Sequence, residues 1–492
     1  MLTPDYLDHA PDRLVLLWQQ VEDDILRDVA RRIGKMDALT PTANWQFWRY
    51  QQTEAVRKDV VKLLARYTGK SEAEIRRLMK EAATAALEAE DEIYYHYGKE
   101  PTPFEESAPL QNLLNAGYRQ TAGSFSNLTA TTANTVSGAF EQALDRAWLQ
   151  VSSGAFDYKT AVKRAVDGLA DSMPYVTYPS GHRDTLEVAC RRAVLTGVNQ
   201  TGAKLQEARM DEFGASFVEV TAHGGARPSH AVWQGRRYHR GGAADYLGQH
   251  YEDFESATGY GTGAGLCGWN CRHTFFVVFP ELGSPPAWTQ ESLEALNARN
   301  IEYDGRLYTR YEISQMQRAR ERAVRKWKRR YLAEDAAGAD TTASAVKLRQ
   351  ARQSLADFTR ATGGRVDSAR TSVHGFGRSA SSKAAWAVRH NTLTNTAGQT
   401  IIKVSKSNIT GPRNGITQKT NAKGGIDRNY YGPDGRQTKQ ISNNGHGHKV
   451  EEALGKHGEH AHDYIFDAEG HLCGRPSREL TDAERKENSD IL

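Results

Sequence analysis

Apolar side chains recur at helical spacing through the first hundred residues, which predicts a helical N-terminal region. The stripe of the first helix comprises Leu14, Leu17, Val21, Ile25, Val29 and Ile33. A second helix is predicted to end at Gly69, because glycine commonly terminates helices. Ser71 and Glu74 have the spacing of a capping box, which predicts that a third helix begins there. This pattern favours an antiparallel helical bundle, and the same region is a candidate docking platform for a partner assembly.

The periodicity changes along the rest of the chain. Residues 129–135 are small and low in charge, so they are predicted to connect the preceding helices to a helix at 138–152. The elements predicted after these are helices near 158–172 and 183–212, strands at 216–221 and 272–279, and a helical period over 289–333.

The C-terminal third is rich in polar and small residues. Residues 363–445 contain much Gly, Ser, Thr and Asn and few large apolar side chains, which predicts a linker followed by a poorly packed region. The predicted fold class is α+β. Its predicted parts are a helical N-terminal region (1–150), a small mixed α+β module (151–285), a basic helical region (286–362), a flexible linker (363–400) and a His-rich C-terminal α+β module (401–492).

Composition excludes several classes of protein. The 492 residues are 39% hydrophobic and 25% charged, which is typical of a globular chain rather than a fibrous or wholly disordered one. The longest apolar run is Phe275–Phe279, whereas a membrane span needs ~20 residues, so no membrane association is expected. No export signal is expected at the acidic N-terminus. Four cysteines are too few for a disulfide framework and favour a reducing compartment.

The densest chemistry lies between the two predicted strands. Residues 220–236 read VTAHGGARPSHAVWQGR, and residues 259–273 read GYGTGAGLCGWNCRH. These two segments together resemble the phage minor capsid protein 2 family, relatives of the Mu F-type head-morphogenesis proteins. The motif positions are His223, Arg227, His230, Trp233, Gly235, Trp269, Asn270 and Arg272.

The resemblance implies a structural component of the virion rather than an enzyme. Proteins of this type are associated with the portal vertex in few copies and act in head assembly and DNA packaging or delivery. The expected partners are therefore portal and capsid proteins, and the expected locations are the host cytoplasm during assembly and then the virion.

The cysteines and histidines of the second segment suggest a metal site. Cys267, Cys271 and His273 are close in sequence, which suits tetrahedral zinc. The candidates for the fourth ligand are His223, His230 and His239, of which His230 is the one expected. Zinc is the only cofactor that the sequence suggests. The spacing equally allows a Cys267–Cys271 disulfide, or cysteines that simply pack as small hydrophobic groups. A further alternative is acid–base catalysis by His230 and His273 with Arg227 as anion stabiliser.

A basic segment follows at residues 315–330. It contains eight Arg and Lys residues and one acid, Glu321, so it is a candidate for non-specific contact with duplex DNA. The alternative is a solvated helix face, or one that pairs with acidic surfaces. The candidate DNA contacts are Arg318, Arg322, Arg325, Lys326, Arg329 and Arg330.

The C-terminal module is dense in histidine. His457, His460 and Asp463 would share one face of a helix, and His462 lies beside them, so these four residues are candidates for metal binding. Toxin domains are sometimes fused to Mu F-type head proteins, so the resemblance adds an alternative function, a virion-carried effector with a C-terminal nuclease. A small structural tail with solvated histidines is the third interpretation.

Overall fold

The computed structural model describes residues 2–36, 42–153, 155–172, 175–178, 182–422 and 424–492. It divides the chain into two compact units, one formed by Met1–Ala339 with Gln353–Gly375 and the other by Asp340–Arg352 with Phe376–Leu492. The predicted α+β class is confirmed, since the first unit is mostly helical and the second is built on one large sheet. Within the described residues, none of the helices is both long and apolar enough to cross a bilayer.

Among the described residues, six helices form the N-terminal part of the first unit. They are α1 (Pro4–His9), α2 (Asp12–Gly34), α3 (Thr42–His96), α4 (Ala108–Ser152), α5 (Tyr158–Ser172) and α6 (Leu186–Phe213), with a short hairpin of β1 (Tyr175–Thr177) and β2 (Arg183–Thr185) between the last two. The predicted stripe of α2 is largely confirmed: Leu14, Val21, Ile25, Val29 and Ile33 are buried in the main apolar core, and Leu17 packs against it.

Two predicted helix boundaries in this part are wrong. α3 continues through Gly69 and Ser71, because Ser71 is buried and donates a 2.8 Å hydrogen bond to the Tyr67 carbonyl instead of capping a new helix. Its hydroxyl also accepts a 3.0 Å hydrogen bond from Trp18 Nε1 of α2. Likewise, the predicted connection at 129–135 is helical within α4, where the small Thr132 and Ala133 are buried. Packing between helices overrides both local signals.

A three-stranded antiparallel sheet follows α6, in the order β4-β3-β7. The predicted strands at 216–221 and 272–279 correspond to β3 (Phe217–Val220) and β7 (Phe275–Val277). The second strand is shorter than predicted because residues 271–274 are an irregular segment in which His273 and Thr274 are buried. The remaining elements here are α7 (Pro228–Ala231), β4 (Arg237–His239), β5 (Ala244–Tyr246), β6 (Gln249–Tyr251) and α8 (Phe254–Thr258).

The predicted helical stretch at 289–333 is interrupted by a β-hairpin. α9 (Gln290–Asn297) is followed by β8 (Ile301–Tyr303) and β9 (Arg306–Tyr308), and only then by α10 (Arg310–Ala336). Asp304 and Gly305 both have positive φ, 50° and 70°, as a two-residue hairpin turn of this twist requires. The Asp-Gly pair therefore carried a turn signal that the helical period obscured. α11 (Thr342–Thr362) then begins in the second unit and ends in the first.

The second unit contains a seven-stranded sheet where the sequence predicted a linker and loose packing. The expected linker at 363–400 forms α12 (Ser368–Thr371) in the first unit, and in the second α13 (Arg378–Asn391) and β10 (Thr392–Thr394). The sheet order is β10-β11-β12-β13-β14-β15-β18, antiparallel except for the β11–β12 pair. The other elements are β11 (Thr400–Lys403), β12 (Ile416–Thr420), β13 (Ile426–Tyr431), β14 (Gln437–Ser442), α14 (Lys449–Glu452), β15 (His460–Asp463), β16 (Ile465–Phe466), β17 (Leu472–Gly474), β18 (Ser477–Arg478) and α15 (Asp482–Glu487).

Buried polar side chains explain why composition understated this sheet. Arg428 is 1% exposed and donates hydrogen bonds to Gln418 (2.9 Å) and Asn488 (3.1 Å) and a 2.8 Å charged one to Asp490. Asn429 is also fully buried and accepts from the Gln437 amide at 2.8 Å. A core held by satisfied polar groups needs few large apolar residues, so a low apolar content was a poor predictor of disorder here.

Candidate functional site

The two motif segments meet in the first unit. Arg227, just before α7, donates a 2.7 Å hydrogen bond to the carbonyl oxygen of Trp269, 42 residues further along the chain. His230 Nε2 is bonded to the Ala264 carbonyl at 2.9 Å. The residues that the sequence analysis selected from two separate turns therefore form one site beside the β4-β3-β7 sheet.

Three potential metal ligands converge at its centre, namely His230, Cys271 and His273. Cys271 Sγ lies 3.7 Å from His230 Nδ1 and 3.6 Å from His273 Nδ1. All three ligand atoms lie within 4.8 Å of one another, and all three residues are buried. Two imidazoles and a thiol are a ligand set that zinc accepts.

Protein groups hold both imidazole rings in the orientation that a metal would need. The Ala264 carbonyl can only accept, so His230 Nε2 carries the proton and its Nδ1 lone pair faces the thiol. His273 Nε2 is bonded in the same way to Gln234 Oε1 at 2.9 Å. The Gln234 orientation is itself fixed, because that oxygen also accepts from the His223 main-chain N–H at 3.1 Å. Such outer contacts set the tautomer and direction of metal-binding histidines.

Burial keeps this cluster uncharged. It lowers the pKa of His230, and burial together with the neighbouring His223 and His230 holds the pKa of His273 well below its usual range. Burial also lowers the pKa of His223 to about 4 and raises that of the Cys271 thiol. Neutral imidazoles have free lone pairs, so the histidines are in the protonation state that binds metal.

The other predicted ligand, Cys267, lies beside this group and not in it. Both Cys267 and Cys271 are free thiols in the structure, without the disulfide that their spacing allowed. Cys267 Sγ is directed at the His273 carbonyl, 3.6 Å away. His223 stacks on His273 with ring centroids 4.3 Å apart. The predicted ligand set is thus reduced to His230, Cys271 and His273.

The remaining motif residues support this cluster or border a cleft. Trp233 is buried and its ring lies 4.9 Å from that of His273. Gly235 has φ +68°, and a Cβ there would lie 2.5 Å from Leu293 Cδ2, so only glycine fits. Asn270 has φ 55°, a left-handed conformation that asparagine tolerates, and Trp269 is 59% exposed.

One residue of the site was missed by the sequence analysis. Asn199 of α6 is fully buried, and its Nδ2 donates 3.0 Å hydrogen bonds to the carbonyls of both Cys271 and His273. It lies within a helical pattern more than 70 residues before Cys271 and His273, so only its position as a polar residue on an apolar helix face could indicate a role.

The metal-ligand cluster lines a basic cleft of about 1390 Å³. The cleft is bordered by the motif turns, α6 and α10, and its lining includes four acidic residues, Asp8, Asp171, Glu187 and Glu321. Its ten Arg and Lys residues are Arg191, Arg192, Arg227, Arg272, Arg318, Arg322, Arg325, Lys326, Arg329 and Arg370.

Most of the predicted DNA contacts on α10 are engaged within the protein. Arg325 pairs with Glu187, and Arg329 lies 3.5 Å from Glu22 and 3.3 Å from Asp23. The remaining two such pairs are Lys326 with Asp171 at 3.0 Å and Arg330 with Asp167. Acidic side chains of α2, α5 and α6 therefore pair with four of the six candidate DNA contacts, and all six remain a prediction.

Arg318 and Arg322 differ from those four. Arg322 is exposed in the cleft, and the buried Nε of Arg318 has no hydrogen-bond partner among the residues that the structure describes. Burial, with Arg370 and Arg272 close by, lowers the pKa of Arg318 to about 10. Asp8 Oδ2 is shared between Arg272 at 3.4 Å and Arg370 at 3.6 Å. Positive charge is in excess at this end of the cleft.

The predicted helical arrangement of the C-terminal candidates is wrong, because His460, His462 and Asp463 lie on strand β15. His457 is exposed in the preceding loop, and Asp463 forms hydrogen bonds of 2.7 and 3.0 Å with Arg478. His460 and His462, two residues apart, do lie together, and they are joined by Glu451.

Comparison with known proteins gives a match that lies mainly in the first unit. No curated protein and no solved structure shows a significant match to the chain. The family model described as phage minor capsid protein 2 matches residues 2–360, which include both motif turns, α10 and the residues of the basic cleft other than Arg370, and exclude most of the second unit. The chain therefore belongs to the phage minor capsid protein 2 family.

Proposed function

We propose that this minor capsid protein acts at the portal vertex in head assembly and DNA packaging, and that the basic cleft contacts the DNA backbone. The observation that carries the proposal is the group of Arg318, Arg272 and Arg370 near the Asp8 carboxylate. Arg191 adjoins them, donating to the Asp8 main-chain carbonyl and pairing with Asp12 at 2.8 Å. Although burial alone would raise it, these arginines hold the pKa of Asp8 below its ordinary value. An excess of guanidinium groups suits phosphate, which each can bind through two N–H groups.

The DNA contact is tested by the salt dependence of binding. Each phosphate contact contributes ~0.9 to the slope of log K against log salt, so R318A/R322A should lower the slope of the full chain on duplex DNA by about 1 to 2. Lys58 and Lys62 of α3 are exposed and provide the control K58A/K62A, for which no comparable change is expected. Equal slopes for the two double variants would show that the cleft does not bind DNA.

The position in the particle is a separate question with its own measurement. Imaging of assembled heads should place the protein in few copies at the portal vertex. An even distribution over the shell, or absence from packaged heads, would contradict that location. Loss of the protein should leave heads that form without completing packaging.

We also propose that His230, Cys271 and His273 bind zinc, which would fasten the turn at 259–273 to α7. Three protein ligands leave one position of a tetrahedral ion for water, and all three residues line the cleft. The purified full chain should contain one equivalent more zinc than C271S and the same amount as C473S, where the exposed cysteine of the second unit is changed. Equal zinc content in the wild type and both variants would refute this site.

A second candidate function is supported by a polar cavity of about 360 Å³ in the second unit. Its lining includes His446, Lys419 and Arg475, and His446 Nε2 lies 3.2 Å from Asp427 Oδ1. An imidazole that can move a proton beside cations that can hold phosphate suits phosphodiester cleavage, so this unit would be a virion-carried nuclease. RNA and DNA should be degraded by the full chain and by H471A, which changes an exposed histidine, but not by H446A.

A further inference from the structure

The second unit holds a second cluster of metal-ligating groups, separate from the cysteine-containing one. His460 Nε2 and His462 Nε2 are 3.0 Å apart. The Glu451 carboxylate closes the triangle, with Oε1 3.3 Å from His462 Nε2 and Oε2 3.7 Å from His460 Nε2. Zinc–ligand bonds of 2.0–2.2 Å place neighbouring ligands of a tetrahedral ion about 3.3 Å apart. The three atoms already have nearly that spacing.

The strand explains why two histidines converge. Residues two apart on a strand point to the same face, so His460 and His462 share one side of β15. Ala461 between them points the other way, into the apolar core with Ile441 and Leu480. β14 fixes the register, pairing His460 with Ser442 and His462 with Gln440.

The preceding loop is also tied in place. The Glu459 carboxylate accepts hydrogen bonds from the main-chain N–H groups of Lys456 at 2.9 Å and His457 at 2.6 Å, and it pairs with Arg485 at 2.7 Å. These contacts of Glu459 order the loop between Glu451 and β15. The Glu451 carboxylate therefore reaches its position without a metal.

One imidazole is already oriented as a ligand. His460 Nδ1 is bonded to the Gly458 carbonyl at 2.9 Å, and a carbonyl only accepts, so the proton is on Nδ1 and the Nε2 lone pair faces His462. The side chain of His460 is fully buried and that of His462 is 6% exposed. Two buried imidazole nitrogens at 3.0 Å need a proton or a cation between them, because facing lone pairs repel.

We propose that Glu451, His460 and His462 bind one divalent transition-metal ion, with zinc as the expected species. Two imidazoles with one carboxylate favour zinc and its neighbours over magnesium or calcium, which prefer all-oxygen ligands. The site lies beside the polar cavity, since the His446 ring that lines the cavity is 5.7 Å from that of His460. Binding of the ion does not depend on nuclease activity or on any role of the first unit.

The experiment uses the full chain carrying C271S, which removes the thiol of the His230–Cys271–His273 cluster, and titrates the metal-free protein with Zn²⁺ and with Co²⁺. One equivalent of each should bind, and the cobalt form should lack the thiolate charge-transfer band that a cysteine ligand produces. Adding H460A, H462A or E451Q should weaken zinc binding by more than about tenfold. H457A, in the exposed loop position of the same segment, should bind like the parent.

E451Q keeps the size and hydrogen-bonding shape of the side chain, so it tests the ligand without emptying the site. If the C271S parent binds no metal, the cluster is only a hydrogen-bonded His–His–Glu network and the proposal is wrong. Binding that is unchanged in E451Q and H460A would equally overturn it, because the ion would then lie elsewhere.

Discussion

The side-chain amide of Asn199 donates a 3.0 Å hydrogen bond to the main-chain carbonyl of His273. A second bond of the same length goes to the carbonyl of Cys271. One residue of α6 thus fixes the backbone on both sides of Arg272, and with it the direction in which the thiol and the imidazole point. The metal-ligand geometry therefore depends on a helix that carries no ligand.

Asn199 to Ala should loosen this turn. Two buried carbonyl groups would lose their donor. Each carbonyl that stays unsatisfied lowers the free energy of unfolding by about 1–3 kcal/mol. We expect a lower unfolding temperature for the first unit and weaker zinc retention by the full chain. Thermal unfolding and metal analysis measure the two effects, with N112A on the exposed face of α4 as the control. Wild-type stability of N199A would show that the turn does not need this amide.

The contact between Trp18 and Ser71 provides a second test, directed at the long helix α3. S71A removes the buried hydroxyl that accepts from Trp18 Nε1, and leaves that N–H without its 3.0 Å partner. A buried unsatisfied donor costs about 1–3 kcal/mol, so the free energy of unfolding should fall by that amount. Ser124 is exposed on α4, and S124A should change stability by less than about 0.5 kcal/mol. Comparable effects of the two substitutions would contradict the role of Ser71.

Glu90 makes the stability of the first unit depend on pH. It is fully buried between α3, α6 and β7, where burial raises its pKa to about 7 although it accepts from Val277 N at 3.0 Å and Gln206 Nε2 at 3.2 Å. An unfolded glutamate titrates near 4.5, so the folded state holds the extra proton between these values and stability falls as pH rises from about 4.5 to about 7. The full cost, about 3 kcal/mol, is present above pH 7.

E90Q should therefore stabilise the first unit at pH 8 by about 1–3 kcal/mol, because it removes the charge and retains one acceptor oxygen. The gain should shrink as the pH falls from 7 and vanish below about pH 4.5, where the wild-type carboxyl becomes protonated in the unfolded state as well as in the folded one. Thermal unfolding across this pH range measures the difference, and E92Q at an exposed neighbouring position provides the comparison. A difference between E90Q and the wild type that is constant with pH would rule out titration of Glu90 as the cause.

The sequence predicts individual helices and strands better than the boundaries and turns between them. Helical periodicity located α5 and α6 within a few residues, and β-branched alternation located β3, because burial of one face imposes those periods. Gly69 and Ser71 predict a helix boundary that the structure lacks. A capping pattern reflects the preference of an isolated segment, whereas α3 is stabilised by packing against neighbouring helices. The hairpin turn at Asp304-Gly305 is not predicted, because the helical period continues on both sides of it.

Only those residues of the candidate site that are close in sequence or lie in a motif could be predicted. Ligand residues within one turn, such as Cys271 and His273, are adjacent in sequence, and the motif made their partner His230 visible. Residues that act through tertiary contact, such as Asn199 and Glu451, have no local signal. The sequence shows the positive charge of α10 but not its acidic partners on three other helices, which pair with four of the six candidate DNA contacts.

Glu22 is the centre of those buried ion pairs and the place to test them. Its carboxylate is fully buried and accepts from Leu186 N at 3.1 Å, while Arg329 and Arg325 of α10 lie 3.5 and 3.7 Å away. E22A would remove one counter-charge from both buried guanidinium groups, while Arg325 keeps Glu187 and Arg329 keeps Asp23. Breaking a buried pair outright costs about 3–5 kcal/mol, so that is the upper limit for E22A. We expect the first unit of E22A to unfold at a markedly lower temperature, or to be recovered only as aggregate. E141A, which removes a half-exposed carboxylate from the Arg49 pair, should cost less than about 1 kcal/mol under the same conditions. If the two variants unfold alike, α10 is held by its apolar contacts and its arginines are available for another role.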